Sequence, residues 1–411
     1  MKKIIIICFG VALLLMSSCS KVENSDSLIQ DKQNSNLISD RDMSLKNDNN
    51  TIEYIYDKNN NIVGHIERNG LISLIDDKIF YSNFSNDSND EHTIKDFYLY
   101  DIDTEDNIKL GTINDYLYEA SYDRILIRNH LYTIITTGDS NDKESRVFNI
   151  LDFDLKNMSM DIIFSEQDSY IYNVMDSFDD NLLIVRKDSN GARIDEYNVE
   201  NDSFRTMIEF EYDNKAQAGD TIRQLYYDEG VISVLRLNKE IGKDAALFLD
   251  KYDKNMNLLS SKDISSICGD DNDEITQNER RQIVFDFFSI NELLYYENQS
   301  ITRFLGKIEK NNISPLIEIK DEEFYSSRTL IKNTAYRLFC IPYIAGNAIY
   351  ILNTDDFQIK KTSFNDTDDR YCIGSVFQYD NKIIIEMIDI EPNSEDERPT
   401  RLYYMNIDDL L

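Results

Sequence analysis

Apolar residues in this chain come in short bursts, and most bursts end in a cluster of Asp, Asn and Thr. The stretch FYLYDIDTEDNIKLG, from Phe97 to Gly111, shows the unit: an apolar run, a polar cluster, then a second apolar run. That pattern predicts two antiparallel strands joined by an exposed turn. FNILDFDLKNMSMDIIF from Phe148 and IDEYNVENDSFRTMIEF from Ile194 repeat it. With the apolar residue near the end of each first strand as an anchor, copies fall at Tyr56, Ile102, Phe153, Val199, Tyr252, Ile308, Thr354 and Ile407. The spacing is roughly 50 residues, a period typical of propellers and arrays. The Ile308 and Thr354 copies diverge most.

Between these hairpins lie further β-branched and aromatic runs, such as LISLIDDKIFYSNF from Leu71, RILIRNHLYTIITT from Arg124 and VFQYDNKIIIEMIDI from Val376. Asn190-Gly191 reads as a two-residue hairpin turn. Each unit therefore predicts about four short strands in about 50 residues. A four-stranded antiparallel sheet with two apolar faces buries both only against neighbours on either side, and radial packing supplies them. The predicted fold is all-β: a single β-propeller over residues 51–411, built of four-stranded blades. Seven blades fit best, with eight or six as alternatives. The first copy begins with a hairpin and the last stops after its anchor, so an N-terminal strand is expected to complete the last blade.

Composition changes this picture in two places. Gly and Pro number only 13 and 4, so Asp and Asn must form most turns by bonding their own backbone. Trp is absent, which removes the WD dipeptide, the YWTD repeat and the Trp-bearing Asp-box as signatures. The formal charge of −33 argues against nucleic acid or bare anionic lipid as the main partner.

The N-terminus, MKKIIIICFGVALLLMSSCS, has a basic start at Lys2 and Lys3, an apolar core from Ile4 to Met16, and small residues before Cys19. The core is short for a stable span and has the flanks of a secretory signal. The run Met16-Ser17-Ser18-Cys19 resembles the lipobox of bacterial lipoproteins, with Met16 where Leu is commoner. The resemblance implies a signal peptide at residues 1–18, cleavage before Cys19, and acylation (palmitate among the chains) of that cysteine. It places the mature protein outside the cytoplasm on a bacterial membrane. Residues 19–50 then comprise the lipidated Cys and a polar tether without aromatics, which composition predicts to be disordered.

Candidate chemistry is sparse. The histidines are His65, His92 and His130. No HExxH, P-loop or nucleophile elbow occurs, so no catalytic residue is assigned. Asp270, Asp271, Asp273 and Glu274 form a possible Ca²⁺ site of hard oxygens, although an exposed acidic insertion explains them as well. No other cofactor is expected. With Cys8 in the signal and Cys19 lipidated, Cys268, Cys340 and Cys372 remain; three is odd, Cys340–Cys372 is the pair to test, and the expectation is that all three are buried small residues. Tyr226-Tyr227, Tyr295-Tyr296 and Tyr403-Tyr404 are expected to send one ring to each face of a strand.

The sequence thus predicts a monomeric, lipid-anchored propeller that binds a protein, peptide or glycan through loops at one mouth. A glycan hydrolase or lyase on the same scaffold, and a structural subunit of an envelope complex, are the alternatives.

Overall fold

The computed structural model describes residues 51–85, 93–119, 124–167, 175–265, 284–319, 336–364 and 371–410, with short interruptions inside these ranges. From 284 to 341 the description is of backbone alone. Residues 47–411 form one compact unit. Cys19, His92, Cys268 and the run Asp270, Asp271, Asp273 and Glu274 lie outside the described residues.

The chain is all-β. Its first hairpin is β1 (Thr51–Tyr56) and β2 (Ile62–Arg68). A four-stranded group follows: β3 (Ile72–Ile75), β4 (Lys78–Phe84), β5 (Lys95–Asp101) and β6 (Asn107–Ile113). In the next sheet β7 (Tyr116–Glu119) and β8 (Ile125–Ile127) both pair with β9 (His130–Thr137), which continues to β10 (Val147–Asp154) and β11 (Ser159–Gln167). Then come β12 (Met175–Phe178), β13 (Asn181–Lys187), β14 (Gly191–Asn198) and β15 (Ser203–Asp213). β16 (Ala218–Asp228), β17 (Val231–Lys239), β18 (Ala246–Asp253) and β19 (Leu258–Asp263) continue the same sheet. The join between β15 and β16 consists of Tyr212 opposite Gly219 and Asp213 opposite Ala218. β20 (Val284–Phe288), β21 (Leu293–Glu297), β22 (Arg303–Glu309) and β23 (Asn312–Ile319) form another four-stranded sheet. β24 (Tyr336–Ile341), β25 (Ala348–Asn353) and β26 (Ile359–Ser363) form a three-stranded one. The last strands are β27 (Tyr371–Tyr379), β28 (Lys382–Asp389) and β29 (Arg401–Asn406), followed by a 3₁₀ turn over Ile407–Asp409.

The first and last strands meet. β1 pairs with β29 in parallel register, Tyr54 opposite Arg401 and Tyr56 opposite Tyr403. The resulting sheet has the order β2-β1-β29-β28-β27. The expected loan of one strand is therefore the loan of a whole hairpin. β1 is the N-terminal counterpart of β29 in the repeat, so two equivalent strands lie side by side, and their directions have to agree.

The apolar clusters lie between successive groups of strands. Phe80, Phe97 and Phe153 join the second sheet to the third, with ring centroids 4.8–6.0 Å apart. Ile55, Tyr81 and Ile384 join the first to the second. Ile150 with Ile184, Ile194 with Ile232, and Ile349 with Ile385 continue the series. Each fully buried side chain of this kind contributes roughly 1.5–3 kcal/mol. First strands of successive groups also touch: β27 with β3, β8 with β12, β12 with β16, and β16 with β20. Alternation along each strand serves both neighbours. Tyr403 packs in the cluster with Ile349, whereas Tyr404 packs in the one with Tyr81, which is the split expected of a Tyr pair. The same alternation argues against the candidate disulfide. Tyr371 and Ile373 face Ile349 and Ile351 of β25, so Cys372 between them is buried on the opposite face, away from the sheet that carries Cys340 on β24.

The Asn190-Gly191 reading also needs correction. Gly191 is the first residue of β14, with Ala192 opposite Lys187, so the pair does not form a two-residue turn. Among the described residues, two-residue turns are formed by Asp76-Asp77, Arg128-Asn129, Asp179-Asp180 and Asp380-Asn381. In each, the first residue takes a positive φ between 49° and 55°. Asp and Asn tolerate that region better than most residues because the short polar side chain bonds locally.

Candidate functional site

Strand alternation gives the sheets two unlike ends. Turns from first to second strand, and from third to fourth, share one end. Connections from second to third strand, and from each group to the next, share the other.

The turn end is uniform. Asp57 Oδ1 accepts from the backbone N–H groups of Asn59 and Asn61, both at 2.8 Å. Asp101 serves Asp103 and Thr104, Asp154 serves Lys156 and Asn157, Asn198 serves Glu200 and Asn201, and Asp253 serves Asn255 and Asn257. Hydrogen bonds from Asn61 and Asn257 side chains, with their backbone N–H groups, hold Asp57 and Asp253 below the usual carboxylate range, and Asn157 does the same for Asp154. The recurrent acidic positions after the anchors are thus occupied in building turns.

Charged side chains at this end tie one group of strands to the next. Asp77 accepts from Tyr404 Oη and lies 2.9 Å from Lys382 Nζ, and these hydrogen bonds lower its pKa. Asp179 accepts from Tyr227 Oη at 2.9 Å and pairs with Lys254 at 3.1 Å. Arg128 pairs with Asp180, and Lys58 of the first hairpin pairs with Asp409 at 2.7 Å. His130 Nδ1 lies 2.9 Å from Asp152, whose pKa burial raises against the lowering by His130. His65 is exposed, its ring 6.4 Å from Tyr54.

Toward the connection end, polar groups pair inside their own sheets and also across sheets, as Arg186 does with Glu166 and Arg124 with Ser73. A third-strand Asp or Asn accepts from, or bonds with, a fourth-strand hydroxyl in four successive groups. The pairs are Asp96 with Thr112 at 2.7 Å, Asn149 with Ser165 at 2.7 Å, Asp195 with Thr206 at 2.8 Å, and Asp250 with Ser261 at 2.5 Å. In the last two groups a second-strand arginine joins: Arg186 lies 3.4 Å from Asp195, and Arg236 lies 2.6 Å from Asp250 and 2.7 Å from Asp220. Burial opposes the Arg236 charge, and Asp250 with Asp220 outweighs it. Each arginine also covers an aromatic face, Phe204 at 4.9 Å and Phe248 at 4.6 Å. In the first sheet Arg68 bonds Glu53 at 2.7 Å and reaches Glu386. Lys95 is fully buried, donates to Tyr116 Oη at 2.9 Å and sits 4.0 Å from that ring.

The sequence reading missed these pairs. Their separations, 16 residues in two groups and 11 in two, do not repeat at one spacing. The register that makes them neighbours exists only once the strands are paired. Among the described residues no group of three or more His, Cys, Asp or Glu is placed to hold a metal ion. The stretch containing Asp270, Asp271, Asp273 and Glu274 joins β19 to β20, which is one of the group-to-group connections.

The connections differ from one another as much as the turns agree. Asn114 and Asp115 alone join β6 to β7, whereas residues 264–283 join β19 to β20 and residues 320–335 join β23 to β24. A scaffold held alike at one end and varied at the other is how many folds carry recognition loops.

No protein-family model and no curated protein matches the chain. Solved structures do. The β-propeller domain of the Trilobed protease from Pyrococcus furiosus, described as having an open velcro topology, aligns over 82% of this chain and 95% of that chain, with TM-score 0.50 and 15% identity. Polysaccharide lyase Uly1 aligns over 86% of this chain and 92% of that one, with TM-score 0.46 and 11% identity. An acylaminoacyl peptidase of Pyrococcus horikoshii aligns over 70% of this chain and 45% of that one, with TM-score 0.43 and 10% identity. At 15% identity the likeness to the Trilobed protease domain speaks for the fold alone, a β-propeller-like domain.

Proposed function

We propose that this protein is an extracytoplasmic lipoprotein, anchored to a bacterial membrane through Cys19, whose propeller binds a macromolecular ligand at its connection end. The observation that carries the reading is the contrast between the two ends. The turn end is consumed by backbone-bonded Asp and Asn and by ion pairs between groups of strands. The connection end carries the unequal segments, whose lengths differ from group to group. Seven blades follow if the eight-stranded sheet is divided at its two-pair join and the first hairpin is counted with the last three strands. The β1–β29 pairing supports a closed ring. The lipobox-like Met16-Ser17-Ser18-Cys19 supports the anchor, and more than one acyl chain makes such anchoring stable.

The anchor is tested by labelling cells with palmitate. The wild type should be labelled and float with membranes, and Cys19→Ala should do neither. Binding is tested with purified protein against envelope proteins and glycans. Replacing residues 139–145 by a Gly/Ser segment should weaken binding at least ten-fold, whereas Lys156→Ala in a tight turn should leave it unchanged. Release of cleaved sugar from a bound glycan would replace the binding reading by a hydrolase or lyase.

A further inference from the structure

The first hairpin joins the last strands through a short parallel ladder, Tyr54 with Arg401, Ile55 with Leu402 and Tyr56 with Tyr403. A cluster of buried charges lies across the same seam. Glu53, Arg68 and Glu386 stand two residues from Ile55, Ile66 and Ile384, so alternation puts them on the face of that apolar cluster, and Glu53 is 4% exposed. Arg68 bonds Glu53 through two nitrogens, Nε to Oε2 at 2.7 Å and Nη2 to Oε1 at 3.0 Å, and the same Nη2 also donates to Glu386. Its Nη1 donates to Gly70 O at 2.9 Å. Two carboxylates thus converge on one guanidinium nitrogen, and the cluster carries one excess negative charge while both are ionised. Holding that charge away from water costs free energy, and a single added proton removes the cost. One carboxylate then stays paired with Arg68, and the other becomes a neutral acid that can donate a hydrogen bond.

Other charged groups at the seam are matched already or face elsewhere. Asn83 and Asp96, two residues from Tyr81 and Tyr98, look toward the cluster from β4 and β5. Asp96 is held by Thr112 at 2.7 Å and by Lys109 at 2.8 Å. His65 and Glu67 of β2, Arg401 of β29 and Asp389 of β28 alternate onto the opposite face, where Arg401 covers the Tyr371 ring at 4.1 Å. At the turn end Lys382 pairs with Asp77, and Lys58 pairs with Asp409, whose pKa that hydrogen bond lowers. Burial raises the pKa of Glu53 against the lowering by Arg68, Glu386 raises it further, and a Thr400 hydrogen bond lowers it. A carboxyl with a raised pKa in the closed seam binds its proton more tightly there than in the open one. Closure therefore strengthens as pH falls toward the ordinary carboxylate value and weakens as pH rises through the raised one. We propose that Glu53, Arg68 and Glu386 form a proton-operated latch: one proton on the glutamate pair fastens the first hairpin to the last strands, and its loss at higher pH loosens the seam.

Hydrogen–deuterium exchange of the purified full-length protein tests the latch, with each rate corrected for intrinsic exchange at its pH. Protection of β1 and β2, taken relative to β13 and β14, should be at least about three-fold greater at pH 5.5 than at pH 8. The reference strands remove the stabilisation that any acidic chain gains as its net charge falls. Glu53→Gln imitates the protonated acid and should hold at pH 8 the relative protection that the wild type reaches only at pH 5.5. Glu386→Gln, which also leaves one carboxylate on Arg68, should do the same. His65→Gln should keep the wild-type response. A relative protection that is unchanged or lower at pH 5.5 in the wild type overturns the latch, and that measurement needs no variant. A response that survives in both Gln variants, or vanishes in His65→Gln, overturns it too. So does a Glu53→Gln protein less protected than the wild type at both pH values, the signature of a purely structural ion pair.

Discussion

At the residue scale, Asp and Asn do most of the specifying. Asp57, Asp154 and Asp253 each have a folded pKa lowered by Asn and backbone hydrogen bonds. A lowered folded pKa contributes stability that is present above the unfolded value, about 3.9, and is lost as pH falls through the folded value. The triple variant Asp57→Asn, Asp154→Asn, Asp253→Asn should keep the turns, as Asn198 already does, and titrate nothing. Its urea midpoint should therefore fall less than the wild type's between pH 4.5 and pH 2.5. Met256, in the turn after Asp253, has φ of 62°. A left-handed non-Gly residue costs about 1 kcal/mol, so Met256→Gly should raise stability by up to that amount in the same titration.

At the element scale, the hairpin is the repeating unit, and its anchors and Asx turns were legible in the sequence because the period-2 alternation and the turn chemistry are both local. Register was not local. Register shifts between third and fourth strands recur in six pairs, at Ile55/Tyr56, Phe97/Tyr98, Ile150/Leu151, Ile194/Asp195, Lys251/Tyr252 and Leu305/Gly306, and no residue type marks them. The third-strand acid with its fourth-strand hydroxyl depends on that register. Asp250 is 1% exposed and bonds Arg236 and Ser261. Asp250→Ala should cost about 3 kcal/mol, the low end for removing one partner of a buried pair, because Arg236 keeps Asp220. Chemical denaturation of the full chain checks it, and Asp250→Asn should recover part of the loss. Between sheets, a Cβ at Gly64 on β2 would come within 2.0 Å of Tyr100 Oη on β5. Gly64→Val should therefore destabilise by about 1–3 kcal/mol through overpacking, measurable as a lower thermal midpoint.

At the scale of the whole molecule, the sequence by itself determined the all-β class, the repeat of about four strands in about 50 residues, and the turn residues. Alternation and side-chain–backbone bonding act over a few positions, so one dimension is enough to display them. The strand placement of His65 and His130 and the split of the Tyr403-Tyr404 pair were legible as well, whereas the third-strand acids bonded to fourth-strand hydroxyls were not. Tertiary structure alone decided that a hairpin, and not a single strand, completes the last sheet through the parallel β1–β29 pairing. It alone turned Cys372 away from the sheet bearing Cys340. It alone gathered the uniform turns at one end and the unequal connections at the other. Those facts depend on which strands are neighbours and which way they run, and neighbours far apart in sequence are chosen by burial across the whole sheet.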